Sequence, residues 1–225
     1  MVKLFLQFSS RSARYTVISI TKSPTVNSTH RHPTIKELAQ IRAGYQSRKE
    51  VKSTPNGSHA LLQIRDFDEG RTQIDLENIA RIEPGAINED QVLRDGDVIL
   101  LSKGAKNFSF APSGLPKPAL AASYFFILRP SRRICPDYLT WYLNLDTTKN
   151  VLRKYATQGA HMPVVRRDVL ENLEIPVPNL ATQRKIVELA ALINRQGQLM
   201  AELTDKKKIF ANAACLRAAK ESTNQ

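Results

Sequence analysis

Three short polar stretches concentrate lysine, arginine and amide side chains, a set suited to recognition of a polyanion. Lys103, Lys106 and Asn107 sit in the glycine-containing loop Lys103-Gly104-Ala105-Lys106-Asn107, directly after the apolar run Val98-Ile99-Leu100-Leu101. Arg48, Lys49 and Lys52 form a second cationic stretch ahead of the turn Pro55-Asn56-Gly57. Gln158, His161, Arg166 and Arg167 form a third, where Gly159 lets a backbone approach closely. Arginine and lysine serve phosphates or guanine edges, whereas asparagine and glutamine pair bidentately with adenine. For any one stretch a solvated charged surface explains the residues equally well. Three in one small domain favour double-stranded DNA as the partner.

Constellations for catalysis are missing from the sequence. There is no Gly-x-Gly-x-x-Gly, no Walker loop and no Asn-Pro-Pro-aromatic motif, so no dinucleotide, ATP or amino-methyltransferase site is indicated. His30, His32, His59 and His161, with Cys135 and Cys215, fall on no zinc spacing. Glu50-Val51-Lys52 resembles part of a nuclease carboxylate-lysine set but lacks its acidic partner, and Asp66, Asp68 and Glu69 read as a turn between strands. The expectation is a non-catalytic chain with no metal and no cofactor.

These loops belong to a sequence that divides into three segments. Residues 1–33 carry five Lys or Arg and no acid, an atypical basic arm. Residues 34–178 hold the compact domain, and 179–225 a long helix and tail. Thr34-Ile35-Lys36-Glu37 has the spacing of a capping box and predicts a short helix closed by Gly44. Strands are predicted over 60–64, 98–101 and 121–129, a further structured block opens at Ala80-Arg81-Ile82-Glu83, and helices are predicted after Cys135-Pro136-Asp137 and over 149–156. This mixture predicts an α+β fold, a sheet-rich domain with peripheral helices.

Pro176 and Pro178 stop the run Leu173-Glu174-Ile175, and from Leu180 helical periodicity continues to about Ala219, interrupted only by Gly197. About forty residues at 1.5 Å each make a rod of roughly 60 Å. Ile186, Leu189, Ile193, Met200, Leu203 and Phe210 follow a 3-4 spacing, with Gln196 and Lys207 as polar interruptions. This is a coiled-coil seam, and its length argues against the alternative of a terminal helix folded back on its own core.

The net charge of +12 over 225 residues is concentrated at the two ends of the chain: residues 34–179 hold twenty bases against seventeen acids. Two cysteines make no disulfide framework, which suits a reducing, cytoplasmic setting. The longest apolar run, residues 119–128, is too short to span a bilayer, so no membrane association is expected.

In their order and spacing these segments resemble one half of the specificity subunit of bacterial type I restriction-modification enzymes. The matching pieces are Ile35-Lys-Glu-Leu-Ala-Gln-Ile-Arg-Ala-Gly44, Leu93-Arg-Asp-Gly-Asp-Val-Ile-Leu-Leu-Ser102, Tyr138-Leu-Thr-Trp-Tyr-Leu143, and Leu173-Glu-Ile-Pro-Val-Pro178 with Gln183-Arg-Lys-Ile186. The resemblance covers about residues 34 to 215. It implies a target recognition domain followed by a spacer helix, which choose the DNA sequence while methyltransferase and restriction subunits do the chemistry. In that family two recognition domains, held apart by paired antiparallel helices, read a bipartite target. One domain and one helix imply a homodimer, a pairing with a second half-subunit, or a truncated remnant. A stand-alone DNA-binding regulator or adaptor is the alternative reading.

Overall fold

The computed structural model describes residues 31–47, 53–104, 106–156 and 163–223, and from His32 onward these belong to one compact unit. The basic arm up to residue 30, and with it most of the segment 1–33, lies outside the described residues.

A four-stranded antiparallel sheet forms the centre. Its order is β1 (Ala39–Ala43), β7 (Phe125–Pro130), β4 (Val98–Leu101) and β5 (Ser109–Phe110). A second sheet places β2 (His59–Leu62) between β3 (Arg81–Ile82) and β6 (Ala119–Ala121), with β2 parallel to β6 and antiparallel to β3. On the other face of the large sheet pack α1 (Ile35–Leu38), α2 (Pro136–Asn144), α3 (Asp146–Lys154) and α4 (Arg167–Glu171).

The run Val98-Ile99-Leu100-Leu101 is apolar throughout because β4 is covered on both faces. Side chains alternate across a strand, so Ile99 and Leu101 join Phe125 and Ile127 in the core between the sheets. Val98 and Leu100 join Leu128 in the core against Tyr138, Leu139 and Leu143 of α2. Each such side chain contributes about 1.5–3 kcal/mol by leaving water.

At the entry to β4, Asp97 is 1 % exposed and is held by a bidentate pair with Arg129, Nε to Oδ1 and Nη2 to Oδ2 both at 2.8 Å. The Arg94 amide donates to the same carboxylate, and Arg129 also donates to the Val92 carbonyl. The preceding turn uses Gly96 at a φ of 87°, where a side chain would be strained.

Two predicted elements differ from what folds. The helix opened at Thr34 ends at Leu38, and Ala39–Ala43 is a strand paired with Phe126–Pro130. Glu37 accepts from the Thr34 amide at 2.7 Å as the capping spacing suggests, but burial alternates at Ala39 and Ile41, so sheet pairing overrides helical continuation. The strand predicted over 121–129 is two strands, β6 and β7, in different sheets, with a turn at Ala122–Tyr124 between them.

The segment after α4 returns to the start of the domain. Ile35 donates to the Leu173 carbonyl and Ile175 to the Pro33 carbonyl, both at 2.9 Å, so entry and exit of the head lie side by side. From there α5 (Leu180–Thr223) runs for 44 residues, about 66 Å. Gln183, fully buried, anchors it: its Oε1 accepts from the Cys135 amide, and its Nε2 donates to the carbonyls of Arg133 and Pro178. Ile186 and Val187 still pack on the head, but every residue from 191 to 221 is exposed. The seam residues Leu189, Ile193, Met200, Leu203 and Phe210 are therefore bare, at 60 % for Leu189 and 76 % for Phe210. Ile186 alone of the expected seam is taken up by its own domain. Among the described residues no helix is long and apolar enough to cross a membrane.

Candidate nucleic-acid interface

Two of the three cationic stretches come together at the far end of β4. Lys103 makes an antiparallel bridge with Val164. The Gly104 amide donates to the Pro163 carbonyl at 2.9 Å, and the Val165 amide to the Ser102 carbonyl at 2.7 Å. This short ladder joins the loop after β4 to the segment leading into α4, some sixty positions later in the chain. Arg48, Lys49, Lys52, Gln158 and His161 lie outside the described residues.

The loop is braced from below. Ser102, buried, donates through both its amide and its hydroxyl to the Tyr124 carbonyl. Phe108 sits edge-on to Phe67 at 5.0 Å between ring centres and also contacts Phe125. Asn144 pairs with the Ser109 backbone in both directions, at 3.0 and 2.8 Å. Lys103 and Lys106 are exposed above this floor, and no carboxylate pairs with either among the described residues. A braced floor carrying exposed cationic side chains suits phosphate contacts.

Asn107 departs from its expected place at a base edge. It is 6 % exposed, and its Nδ2 donates to the Leu101 carbonyl at 2.9 Å, so it closes the loop from inside. Arg166 and Arg167 are exposed, yet both have partners. Arg166 makes a two-pronged pair with Asp168, and this hydrogen bonding holds the Asp168 carboxyl below its ordinary range. Arg167 bonds Glu171 at 2.7 Å and the Ile41 carbonyl at 3.1 Å. Their charge is thus partly neutralised, whereas Lys103 and Lys106 pair with no carboxylate among the described residues.

Beside the platform lies a recess of about 540 Å³ lined by Gln63, Ile64, Arg65, Phe67, Glu69, Arg71 and Tyr124. It adjoins the lysine loop through Tyr124, whose carbonyl takes Ser102 and whose hydroxyl accepts from the Ile64 amide at 3.2 Å. Arg71, at a φ of 58°, donates to the Ile64 carbonyl and lies 5.6 Å over the Phe108 ring. Gln63, Arg65 and Glu69 add donors and acceptors of the kinds that read base edges. The sequence reading missed them; the signal was Arg65 and Arg71 flanking the acidic turn.

That acidic turn is self-contained. Asp68 accepts from the amides of Thr72 and Gln73 and from the Thr72 hydroxyl. Asp66, buried, accepts from the Gln63 amide at 2.7 Å, and burial pushes its carboxyl above the ordinary range. Among the described residues no group of His, Cys, Asp and Glu is arranged to hold a metal ion.

At the opposite end of β4, Arg94, Arg132 and Arg184 line a cleft of about 510 Å³ where the head meets α5. The acids on its wall are already engaged, Asp97 by Arg129 and Asp95 by Lys117 at 2.6 Å. The molecule therefore presents cationic surface at both ends of its central strand.

Comparison with known proteins follows the same lines. A family model described as type I restriction modification DNA specificity domain matches residues 31–206. The HsdS subunit from Thermoanaerobacter tengcongensis superposes with a TM-score of 0.53 at 22 % identity, over 77 % of this chain and 40 % of that one. A structure of a type I R-M system, described in terms of complex assembly and conformational transition, gives 0.50 at 24 % identity over 77 % and 41 %. The type I restriction-modification S subunit from M. genitalium gives 0.49 at 16 % identity over 76 % and 41 %. The matched part of this chain thus spans about two fifths of the length of each of these structures. Among curated proteins none matches.

Proposed function

This chain belongs to the family of type I restriction modification DNA specificity domains, and from that premise we propose that it is a half-subunit reading one half of a bipartite target in double-stranded DNA. It is non-catalytic and cytoplasmic in this reading: methyltransferase and restriction subunits supply the chemistry and dock along α5, while a homodimer or a second half-subunit supplies the other head. Support for the pairing comes from the exposed apolar side chains along α5, from Leu189 to Phe210. The observation that carries the DNA reading is the ladder at Lys103 and Val164, which brings two cationic stretches onto one braced platform beside a recess lined by Gln63, Arg65 and Glu69.

On this platform Lys103 and Lys106 fix phosphates, the described arginines of the third stretch shape the rim, and Gln63, Arg65 and Glu69 face the bases. The test is binding of the assembled complex to specific and nonspecific duplexes over a range of salt. Lys106→Ala should weaken both alike and lower the slope of log K against log salt by about 0.9, one phosphate contact. Arg65→Ala should instead relax preference at one base pair, by about 1–3 kcal/mol. Unchanged profiles for both variants would remove this end of the head from the interface.

A further inference from the structure

The recess beside the lysine loop holds one guanidinium and one carboxylate that the fold leaves available, and we infer that together they read a single G·C base pair, Arg65 on the guanine and Glu69 on the cytosine. The inference rests on the DNA reading above and adds which base pair this end of the head takes.

Two arginines line the recess, and their roles differ. Arg71 is engaged in the wall: its Nη1 donates to the Ile64 carbonyl at 2.8 Å, and its guanidinium lies 5.6 Å over the Phe108 ring. Among the described residues it is the one non-glycine position with a positive φ, at 58°, a costly backbone state that such contacts hold in place. Arg65 is placed otherwise. Its side chain is 67 % exposed, and its ion pair with Asp66 is a long one, 3.9 Å from Nε. Both Nη nitrogens are therefore available, and the N7 and O6 acceptors of guanine take two such donors side by side.

Glu69 is exposed and makes no hydrogen bond or ion pair among the described residues. Facing a polyanion, a bare carboxylate is repelled, so on this surface it needs a donor from the duplex itself. In the major groove only the amino groups of cytosine and adenine donate. With adenine under Glu69, Arg65 would meet thymine, which offers one acceptor and a methyl group. With cytosine there, it meets guanine and two acceptors. Inverting the pair sets Arg65 against the cytosine amine and Glu69 against the guanine acceptors, like against like. One orientation of one base pair satisfies both side chains.

The turn that carries them is fixed before any duplex arrives. Phe67 bridges to Ile74, the Asp75 amide donates to the Asp66 carbonyl at 2.8 Å, and the Asp68 carboxylate accepts from the Thr72 and Gln73 amides. Phe67 is packed edge-on against Phe108 at 5.0 Å and Phe110 at 5.4 Å. Such a wall does not adjust to a wrong base. A mismatch leaves a desolvated charge without its partner, which is where discrimination comes from.

Selection from a randomised duplex library by the assembled complex identifies the bound sequence, and base analogues then assign the contact. The wild type should require G·C at one position. There, 7-deazaguanine, which lacks the N7 acceptor, and N4-methylcytosine, whose methyl group replaces the groove-facing amino hydrogen, should each weaken binding by about five-fold or more. Arg65→Ala should abolish the penalty for the first analogue and Glu69→Ala the penalty for the second. Both variants should relax that same position and keep the wild-type dependence on salt, since neither side chain serves a phosphate. Both side chains are exposed, so neither replacement opens the core. Penalties that persist in the variants, or variants that relax two different positions, overturn the inference. A consensus that both variants leave intact also overturns it while the DNA reading stands. A wild-type complex that selects no consensus sinks the DNA reading, and the inference falls with it.

Discussion

The head and the rod of this chain follow opposite rules of stability. In the head, β4 is covered on both faces, and even its entry acid, Asp97, is enclosed and paired. In the rod, not one side chain between residues 191 and 221 is buried. A helix gains most of its stability from packing an apolar face and little from propensity, so the head is complete as it stands and the rod is complete only against something else. Variation should therefore act on folding in the head and on association or local dynamics in the rod.

The largest expected effect lies in the head. Asp97→Ala leaves the Arg129 guanidinium with the more distant Asp90, at 3.9 Å, in place of its bidentate carboxylate, and breaking a buried pair costs about 3–5 kcal/mol. Because Arg129 retains 19 % exposure, the lower end applies. Urea unfolding followed by the lone tryptophan, Trp141, would show it, and a change under 1 kcal/mol would mean the pair is peripheral to the fold.

Gln183→Ala acts at the boundary between the two regimes. It leaves the Cys135 amide and two carbonyls unpaired, at a cost of about 1–3 kcal/mol. Hydrogen exchange should quicken over the first turns of α5 while the amides of β4 stay protected. Equal acceleration in both would erase the distinction between head and rod.

Asp66→Asn is the smallest and refines the account of the head. Burial raises the Asp66 pKa in the fold above its ordinary value of 3.8, so the native state favours the protonated form. The stability this group contributes is full below that ordinary value and is lost as pH rises through the folded value. Asparagine keeps an acceptor for the Gln63 amide and does not titrate. The wild type should therefore lose stability relative to the variant as pH rises across that window, and parallel pH profiles would show Asp66 to be solvated.

How much of this was legible in the sequence depends on whether a feature is local. The apolar run Val98–Leu101, the start of α2 at Pro136 and the long α5 are readable because each declares itself within a few residues. The strand Ala39–Ala43 was hidden behind a good capping signal, since its alternation is only five residues long and needs β7 to express it. The platform was half legible: Lys103 and Lys106 stand where composition suggested, but the union with Val164 joins positions no local pattern connects. The recess was legible only as Arg65 and Arg71 flanking an acidic turn, because Tyr124 reaches Ile64 and Ser102 only after two sheets have formed. Asn107 shows the reverse error, since a polar residue in a loop can face inward when a strand end leaves a carbonyl to satisfy.

The strap that ties Pro33 and Ile35 to Leu173 and Ile175 has a consequence for how such a molecule can change. A segment whose two ends meet at one spot can be exchanged like a cartridge, as insertions are when their termini lie close together. Everything between those ends, including both surfaces at the tips of the central strand, can diversify while the strut beyond keeps its length. In the proposed reading, such an exchange changes the DNA sequence read while the rod stays as it is.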